Sequence, residues 1–361
     1  MKLLLSLTDQ SFIATKSVGI FNVSMGLVKG LMQIKDVSEL HILGNTECAS
    51  HFTNLPPHVH LHLADKPVPR RFGRVWWDQF GVCAAIRRIQ PDWAILPKGF
   101  PPFFPMIGRT KLACYLHDVN WEYYEQKNSE GDTPFPRHEL LYFRASGLRS
   151  LQVSDLVLTS TQFNRSRYEH YCPNCRTAVV GIGFDDEPRP YTLSGGRDIL
   201  FYASPFPHKL TPLGIQRVEK WLQQRNDAAD IRIHLLGRLP QNLVLPGAHW
   251  VQHGRLPFDE MQRIIHQECR CAIYFSDYEG FGMPPVECLR SGVPCIASAL
   301  PPICENIPAH FTFENNSESD FIHKLNAAYD APDMSNLPHY PTWKEVARRC
   351  VDAMQQHHTK H

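Results

Sequence analysis

The sequence predicts an α/β chain made of two doubly wound domains. Three observations carry this reading. Short aliphatic runs alternate with longer helical patterns along the whole chain, a stretch without apolar period interrupts them near the middle, and 361 residues exceed what one core commonly serves. Lys plus Arg (37) and Asp plus Glu (36) nearly cancel, so no charge excess points to nucleic acid.

In the first half the runs Leu3–Leu7, Glu39–Leu43, Trp93–Leu96, Lys111–Leu116, Leu156–Thr159 and Thr177–Val180 read as strands. Between them Asn22–Met32, Trp77–Arg88, Pro136–Val153 and Gln162–Tyr171 read as helices. The acidic, Pro-containing stretch from Asp185 to the paired glycines Gly195-Gly196 reads as a linker. Beyond it the strands are Ile199–Tyr202, Ile231–Leu236, Trp250–Gln252, Cys271–Phe275 and Pro294–Ala297. The helices there are Gly214–Gln224, Phe258–Gln267, Pro285–Ser291 and Trp343–Met354. The expected domains are 1–187 and 188–342, with a final helix, 343–357, joining the first.

The apolar start Met1–Leu7 stops at Thr8-Asp9-Gln10, too short for a signal h-region, and reads as a buried strand. No run approaches the ~20 apolar residues of a membrane span. Eleven cysteines without a framework of spacings read as reduced thiols in a cytoplasmic protein. Cys172-Pro-Asn-Cys175 lacks a second pair at zinc spacing and reads as a turn, and the histidines of His357–His361 are too local to argue a metal site. Arg70-Arg71-Phe72-Gly73-Arg74-Val75-Trp76-Trp77 fits either core and rim packing or peripheral contact with an anionic membrane.

Open α/β sheets bind ligands in loops after their strands. The richest such loop is Ser276-Asp277-Tyr278-Glu279-Gly280-Phe281-Gly282-Met283-Pro284-Pro285-Val286-Glu287, followed by Gly292-Val293-Pro294. The prolines suit the first positions of a helix, Glu287 then falls in its first turn, and Gly292 ends it. Gly280 and Gly282 let backbone approach a ligand, and the N–H groups at Phe281–Met283 can meet anionic or hydroxyl oxygens. A carboxylate at each end can accept from sugar or ribose hydroxyls.

This segment resembles the E-x7-E motif of the retaining family-4 glycosyltransferases, carried here by Glu279 and Glu287, and the resemblance extends over nearly the whole chain. It implies the GT-B fold, two Rossmann-like domains facing each other across a cleft, and transfer from a nucleotide-diphosphate sugar to a glycan, polysaccharide or glycolipid hydroxyl. Lys16–Asn22 resembles the family's N-terminal glycine loop, Leu116-His117-Asp118 its "HD" strand end, Leu156–Ser160 its strand ending in a helix-starting serine, and Phe201–Lys209 its donor-phosphate loop. The implied roles are catalytic for His117 and Glu279, and donor binding for Gly19, Lys209, Phe281, Gly282, Met283 and Glu287. No cofactor and no metal are expected, since no Asp-x-Asp sits at a strand end. An arginine common before the phosphate lysine is missing; His208, Arg238 and Arg255 are candidates to assist Lys209. Alternatives are a nucleotide-sugar epimerase on the same fold or a non-catalytic sugar-nucleotide-binding scaffold.

Overall fold

The computed structural model describes residues 1–8, 18–64, 76–129, 135–185, 188–191, 196–253, 256 and 258–358. Lys16 and Ser17 of the expected glycine loop, the basic stretch from Arg70 to Val75, and Arg255 lie outside the described residues.

In chain order the elements are β1 (Lys2–Ser6), α1 (Val18–Leu31), β2 (Glu39–Gly44), β3 (Val59–Leu63), α2 (Val82–Ile89), β4 (Trp93–Leu96), β5 (Lys111–Tyr115), α3 (Trp121–Ser129), α4 (Arg137–Val153), β6 (Leu156–Thr159), α5 (Gln162–Tyr171) and β7 (Thr177–Val179). Then come β8 (Asp198–Ala203), α6 (Thr211–Leu222), β9 (Ile233–Gly237), β10 (Trp250–His253), α7 (Phe258–Arg263), β11 (Cys269–Tyr274), α8 (Met283–Arg290), β12 (Cys295–Ser298), β13 (Thr312–Phe313), α9 (Glu318–Asp330) and α10 (Trp343–His358).

The chain forms two compact units. One comprises Met1–Trp121, Arg137–Asp186 and Tyr340–His361; the other comprises Glu122–Pro136 and Glu187–His339. The segment Glu122–Pro136, expected in the first domain, clusters with the second unit instead. Each unit is built on one all-parallel sheet, ordered β3-β2-β1-β4-β5-β6-β7 in the first and β10-β9-β8-β11-β12-β13 in the second. Burial on both faces explains the continuous apolar runs of β1, β4, β8 and β11.

The sequence reading misses four elements. In β3 histidines alternate with Val and Leu, α3 carries no clear apolar stripe, β13 is two residues long, and α9 follows a Pro-rich region. The signal for α9 is nonetheless present: Ser317 caps it by accepting from the Asp320 N–H, and Phe321, Leu325, Ala328 and Tyr329 bury one face. The expected linker is not free chain where it is described. Arg189 N–H donates to the Arg290 carbonyl over 2.7 Å.

The first unit is completed by α10, which lies against α1. Thr342 and Glu345 form a reciprocal capping box at its start: Thr342 N–H donates to the Glu345 carboxylate (2.7 Å) and Glu345 N–H to Thr342 Oγ1 (3.3 Å). Trp343, Val346, Ala347, Cys350, Val351 and Met354 are buried. Close approach depends on Gly26 and Gly30. A Cβ on Gly26 would fall 1.9 Å from the Trp343 ring, and one on Gly30 would fall 2.2 Å from the Trp343 carbonyl oxygen. Since backbone cannot give way, Gly30→Ala should lose about 2 kcal/mol of stability by overpacking, despite the ~1 kcal/mol gain in helix propensity. Urea unfolding measures this, and unchanged or higher stability would mean that α10 does not dock there.

Candidate active site

In the second sheet the strand order reverses between β8 and β11, the switch point at which open α/β sheets hold ligands. Lys209 follows β8 and Glu279 follows β11, so topology alone brings them to one end of adjacent strands. A 3-10 turn, Pro207–Lys209, carries the lysine. The loop after β11 is stitched to that turn: Asp277 N–H (2.6 Å) and Ser276 Oγ (3.1 Å) both donate to the His208 carbonyl. A closed circuit fixes its base. Ser276 N–H donates to Ser298 Oγ, Ser298 Oγ to Asn315 Oδ1, and Asn315 Nδ2 back to the Ser276 carbonyl.

Lys209 and Glu279 form an ion pair, with 20% and 12% of their side chains exposed, so neither charge is fully solvated. The buried Tyr274 hydroxyl sits between them, accepting from Lys209 Nζ at 2.6 Å and donating to Glu279 Oε1 at 2.5 Å. Burial opposes ionisation of Glu279, yet the Lys209 ammonium and the hydrogen bonds from Lys209 and Tyr274 hold its carboxyl below the usual value. Burial, with the Glu279 charge alongside, pushes the Tyr274 phenol well up, so it stays a donor. Tyr274 is a site residue that sequence reasoning missed; as the last residue of an apolar strand it reads as core.

Beyond Glu279 the chain turns at Gly282, where φ is +86° and a Cβ would meet Ile303 at 2.7 Å. Helix α8 starts at Met283, two residues before the sequence reading placed it. Glu287 is therefore its fifth residue rather than its third, exposed, and past the first turn in which it was expected. Pro284 and Pro285 have no N–H, so the helix start offers the N–H groups of Gly282 and Met283. Neither has a hydrogen-bond partner among the described residues. Phe281 is buried beside them. Gly292, at φ +74°, ends α8 as expected, with its N–H bonded to Leu289 O and that of Val293 to Cys288 O.

His208 does not supply the missing second cation. Burial and the neighbouring Lys209 charge push its imidazole down to about 3, and Nδ1 shares a 2.5 Å hydrogen bond with the Tyr124 hydroxyl. Phe206, Phe135, Tyr123 and Tyr278 extend this aromatic cluster, with Phe135 stacked on Phe206 at 6.0 Å. Arg238 is exposed and directly follows Gly237, which pairs with Ala203 at the root of the lysine loop.

The remaining predicted residues belong to the first unit. Gly19 is the second residue of α1. His117 lies just past β5, its Nε2 2.7 Å from the Pro97 carbonyl. A carbonyl only accepts, so Nε2 carries the proton and Nδ1 is left as an acceptor. Burial pushes this imidazole down to about 4, so it is neutral at pH 7. Asn164 Nδ2 donates to the His117 carbonyl at 2.8 Å, and the cap of α5 is Thr161 rather than the expected Ser160. Among the described residues Asp185 pairs with Lys29 at 2.8 Å, within the first unit.

Residues 214–347 match the family model described as glycosyl transferases group 1. No curated protein sequence matches the chain. Among solved structures it is similar to a trehalose-6-phosphate protein from E. coli bound with UDP-2-fluoro glucose, at TM-score 0.60 and 12% identity, covering 99% of this chain and 96% of that one. It is also similar to sucrose-phosphate synthase from Thermosynechococcus elongatus, at TM-score 0.63 and 12% identity, covering 98% and 94%. The apo form of the lipopolysaccharide outer core galactosyltransferase WaaB gives TM-score 0.59 and 11% identity, covering 99% of both chains. The fold is GT-B, the fold of these glycosyltransferases.

The two depressed imidazoles have a consequence for stability. His117 and His208 titrate near 6.5 when unfolded and at about 4 and 3 when folded, so between these values the unfolded chain binds more protons. Stability is then full above pH 6.5 and falls on acidification. His208→Gln should flatten the pH 4.5–7 slope by up to about 1.4 kcal/mol per pH unit. Denaturant midpoints across pH check this, and an unchanged slope would show His208 to be solvated.

Proposed function

We propose that this chain is a retaining, metal-independent glycosyltransferase that moves a sugar from a nucleoside diphosphate to a hydroxyl of a glycan, polysaccharide or glycolipid intermediate. The observation that carries the reading is the Lys209–Tyr274–Glu279 cluster with the unpaired N–H groups of Gly282 and Met283; all but Lys209, five residues upstream, fall within the segment matching the glycosyl transferases group 1 model. A diphosphate arriving there meets an ammonium and two open backbone donors, without needing a metal to neutralise it.

In this reading Lys209 turns from Glu279 to the leaving diphosphate. The freed Glu279 carboxylate accepts from donor-sugar hydroxyls near the reacting carbon, while Phe281, Gly282 and Met283 N–H groups meet sugar or phosphate oxygens. Exposed Glu287 takes the ribose hydroxyls, and Gly19 lets the N-terminal loop close on the donor. Neutral His117 accepts a sugar hydroxyl through Nδ1, orienting the sugar rather than moving a proton. Arg238, next to the lysine loop, takes the place of the missing arginine. The acceptor oxygen bonds to the anomeric carbon on the face from which the phosphate leaves. As the carbon–oxygen bond to phosphate breaks, that phosphate oxygen takes the acceptor's proton, so configuration is retained.

We place the enzyme in the cytoplasm, touching the inner membrane surface through the first unit. There Trp76 and Phe80 are exposed, close in sequence to Arg70, Arg71 and Arg74, and Phe104 and Met106 are exposed as well. Among the described residues no helix is long and apolar enough to cross a membrane.

Thermal-shift binding against a panel of nucleotide sugars and nucleoside diphosphates tests the reading. One nucleotide class should stabilise the chain and Glu287→Ala should abolish the shift; no shift with any donor would refute it. With a donor and acceptor in hand, Lys209→Met should lower kcat/KM by about 10²–10³-fold. Tyr274→Phe should lower kcat about tenfold with KM little changed, since Tyr274 positions the lysine without touching the donor. A purely structural tyrosine would leave kcat intact in the folded variant.

A further inference from the structure

At the opposite end of the second sheet a second polar cluster gathers, which the proposed transfer chemistry does not use. Asp198 opens β8, His234 is the second residue of β9, and Glu268 immediately precedes β11. His234 is buried, and both carboxylates approach the same ring nitrogen: Nε2 lies 2.9 Å from Asp198 Oδ2 and 3.5 Å from Glu268 Oε2. We propose that Asp198, His234 and Glu268 bind a divalent transition-metal ion of the zinc type, as a clamp across β9, β8 and the turn into β11.

The geometry suits an ion in place of the ring proton. Ligand atoms about 2.0–2.1 Å from a tetrahedral zinc lie about 3.4 Å apart, so separations of 2.9 and 3.5 Å need only small shifts. The three ligand atoms already lie within 4.8 Å of one another. One imidazole and two carboxylates also suit the borderline Zn²⁺, or the harder Mn²⁺, better than a soft ion. Each ligand is oriented from behind, as metal ligands usually are. His234 Nδ1 lies 2.8 Å from His253 Nε2, Asp198 Oδ1 accepts from the Arg232 N–H at 3.0 Å, and Glu268 Oε1 pairs with Arg263. Asp198 and Glu268 keep 14% and 30% of their side chains exposed, leaving a path for entry.

The first unit supplies an internal comparison. His41 on β2 bonds His62 through Nδ1 (2.9 Å) and Glu39 through Nε2 (3.1 Å), and the partner histidine stands at the same strand offset as His253. There only one carboxylate meets the nitrogen, and Lys2 Nζ lies 3.3 Å from the same Glu39 oxygen. A fixed ammonium on the ligand oxygen repels a cation. The second-unit cluster also stands the length of β8, roughly 17 Å, from the lysine loop, so its ion would be structural.

Isothermal titration with ZnCl₂ and MnCl₂ tests this in full-length chain carrying His357→Gln, His358→Gln and His361→Gln, which removes the clustered histidines near the C-terminus. One ion per chain is expected, and EDTA should reverse an ion-induced rise in melting temperature. Glu268→Gln, on a partly exposed side chain, should weaken binding at least tenfold, as should His234→Gln if it folds. No binding, binding that survives Glu268→Gln, or binding lost with Glu39→Gln instead would each overturn the proposal.

Discussion

The second unit is organised around one electrostatic constraint, a lysine and a glutamate that are mostly withdrawn from water and satisfied chiefly by each other and by one tyrosine. Glu279 could not stay ionised at that depth without Lys209. Lys209 in turn sits where the His208 carbonyl ties its turn to the loop after β11. The Ser276–Ser298–Asn315 circuit and the aromatic cluster around His208 read as the scaffold that keeps the pair in register. A pair of this kind is poised for exchange, because an incoming dianion offers the lysine a better partner while the carboxylate keeps the tyrosine.

Neutral histidines recur near these loops. His117 and His208 both lose their charge to burial, and each uses a ring nitrogen to fasten a neighbouring segment: the Pro97 carbonyl in one unit and Tyr124 in the other. The withdrawn positive potential of the second unit's site is thereby left to Lys209 and the open N–H groups of α8, the exposed Arg238 being the second cation of the proposed reading.

Much of this was legible in the sequence. Continuous apolar runs gave away the parallel strands because both faces of each sheet are covered, and the glycine–proline punctuation of residues 280–294 announced a strand–loop–helix turn. Other features were hidden for physical reasons. β3 carries histidines where strands usually carry apolar residues, since His41, His60 and His62 stack on one another there. Glu287 stands two residues further into the helix than the prolines suggest, because prolines are tolerated after the first helical residue as well as at it and do not fix where α8 begins. The membership of Glu122–Pro136 in the second unit follows from tertiary packing of Tyr123, Tyr124 and Phe135, which no local pattern encodes. Tyr274 is invisible as a site residue because its ring packs as core while its hydroxyl, equally buried, bonds the ion pair.

The glycine groove on α1 bears on how the chain is made. The first sheet is complete once β7 has left the ribosome, yet the helix that fills Gly26 and Gly30 arrives only after all of the second unit has been synthesised. Until then the nascent first unit must display an uncovered apolar furrow, with the seat of Trp343 empty. The second unit, whose strands all lie between residues 198 and 313, can close first. Maturation of the first unit therefore waits on a helix made after the whole of the second unit, against the order in which its sheet is synthesised.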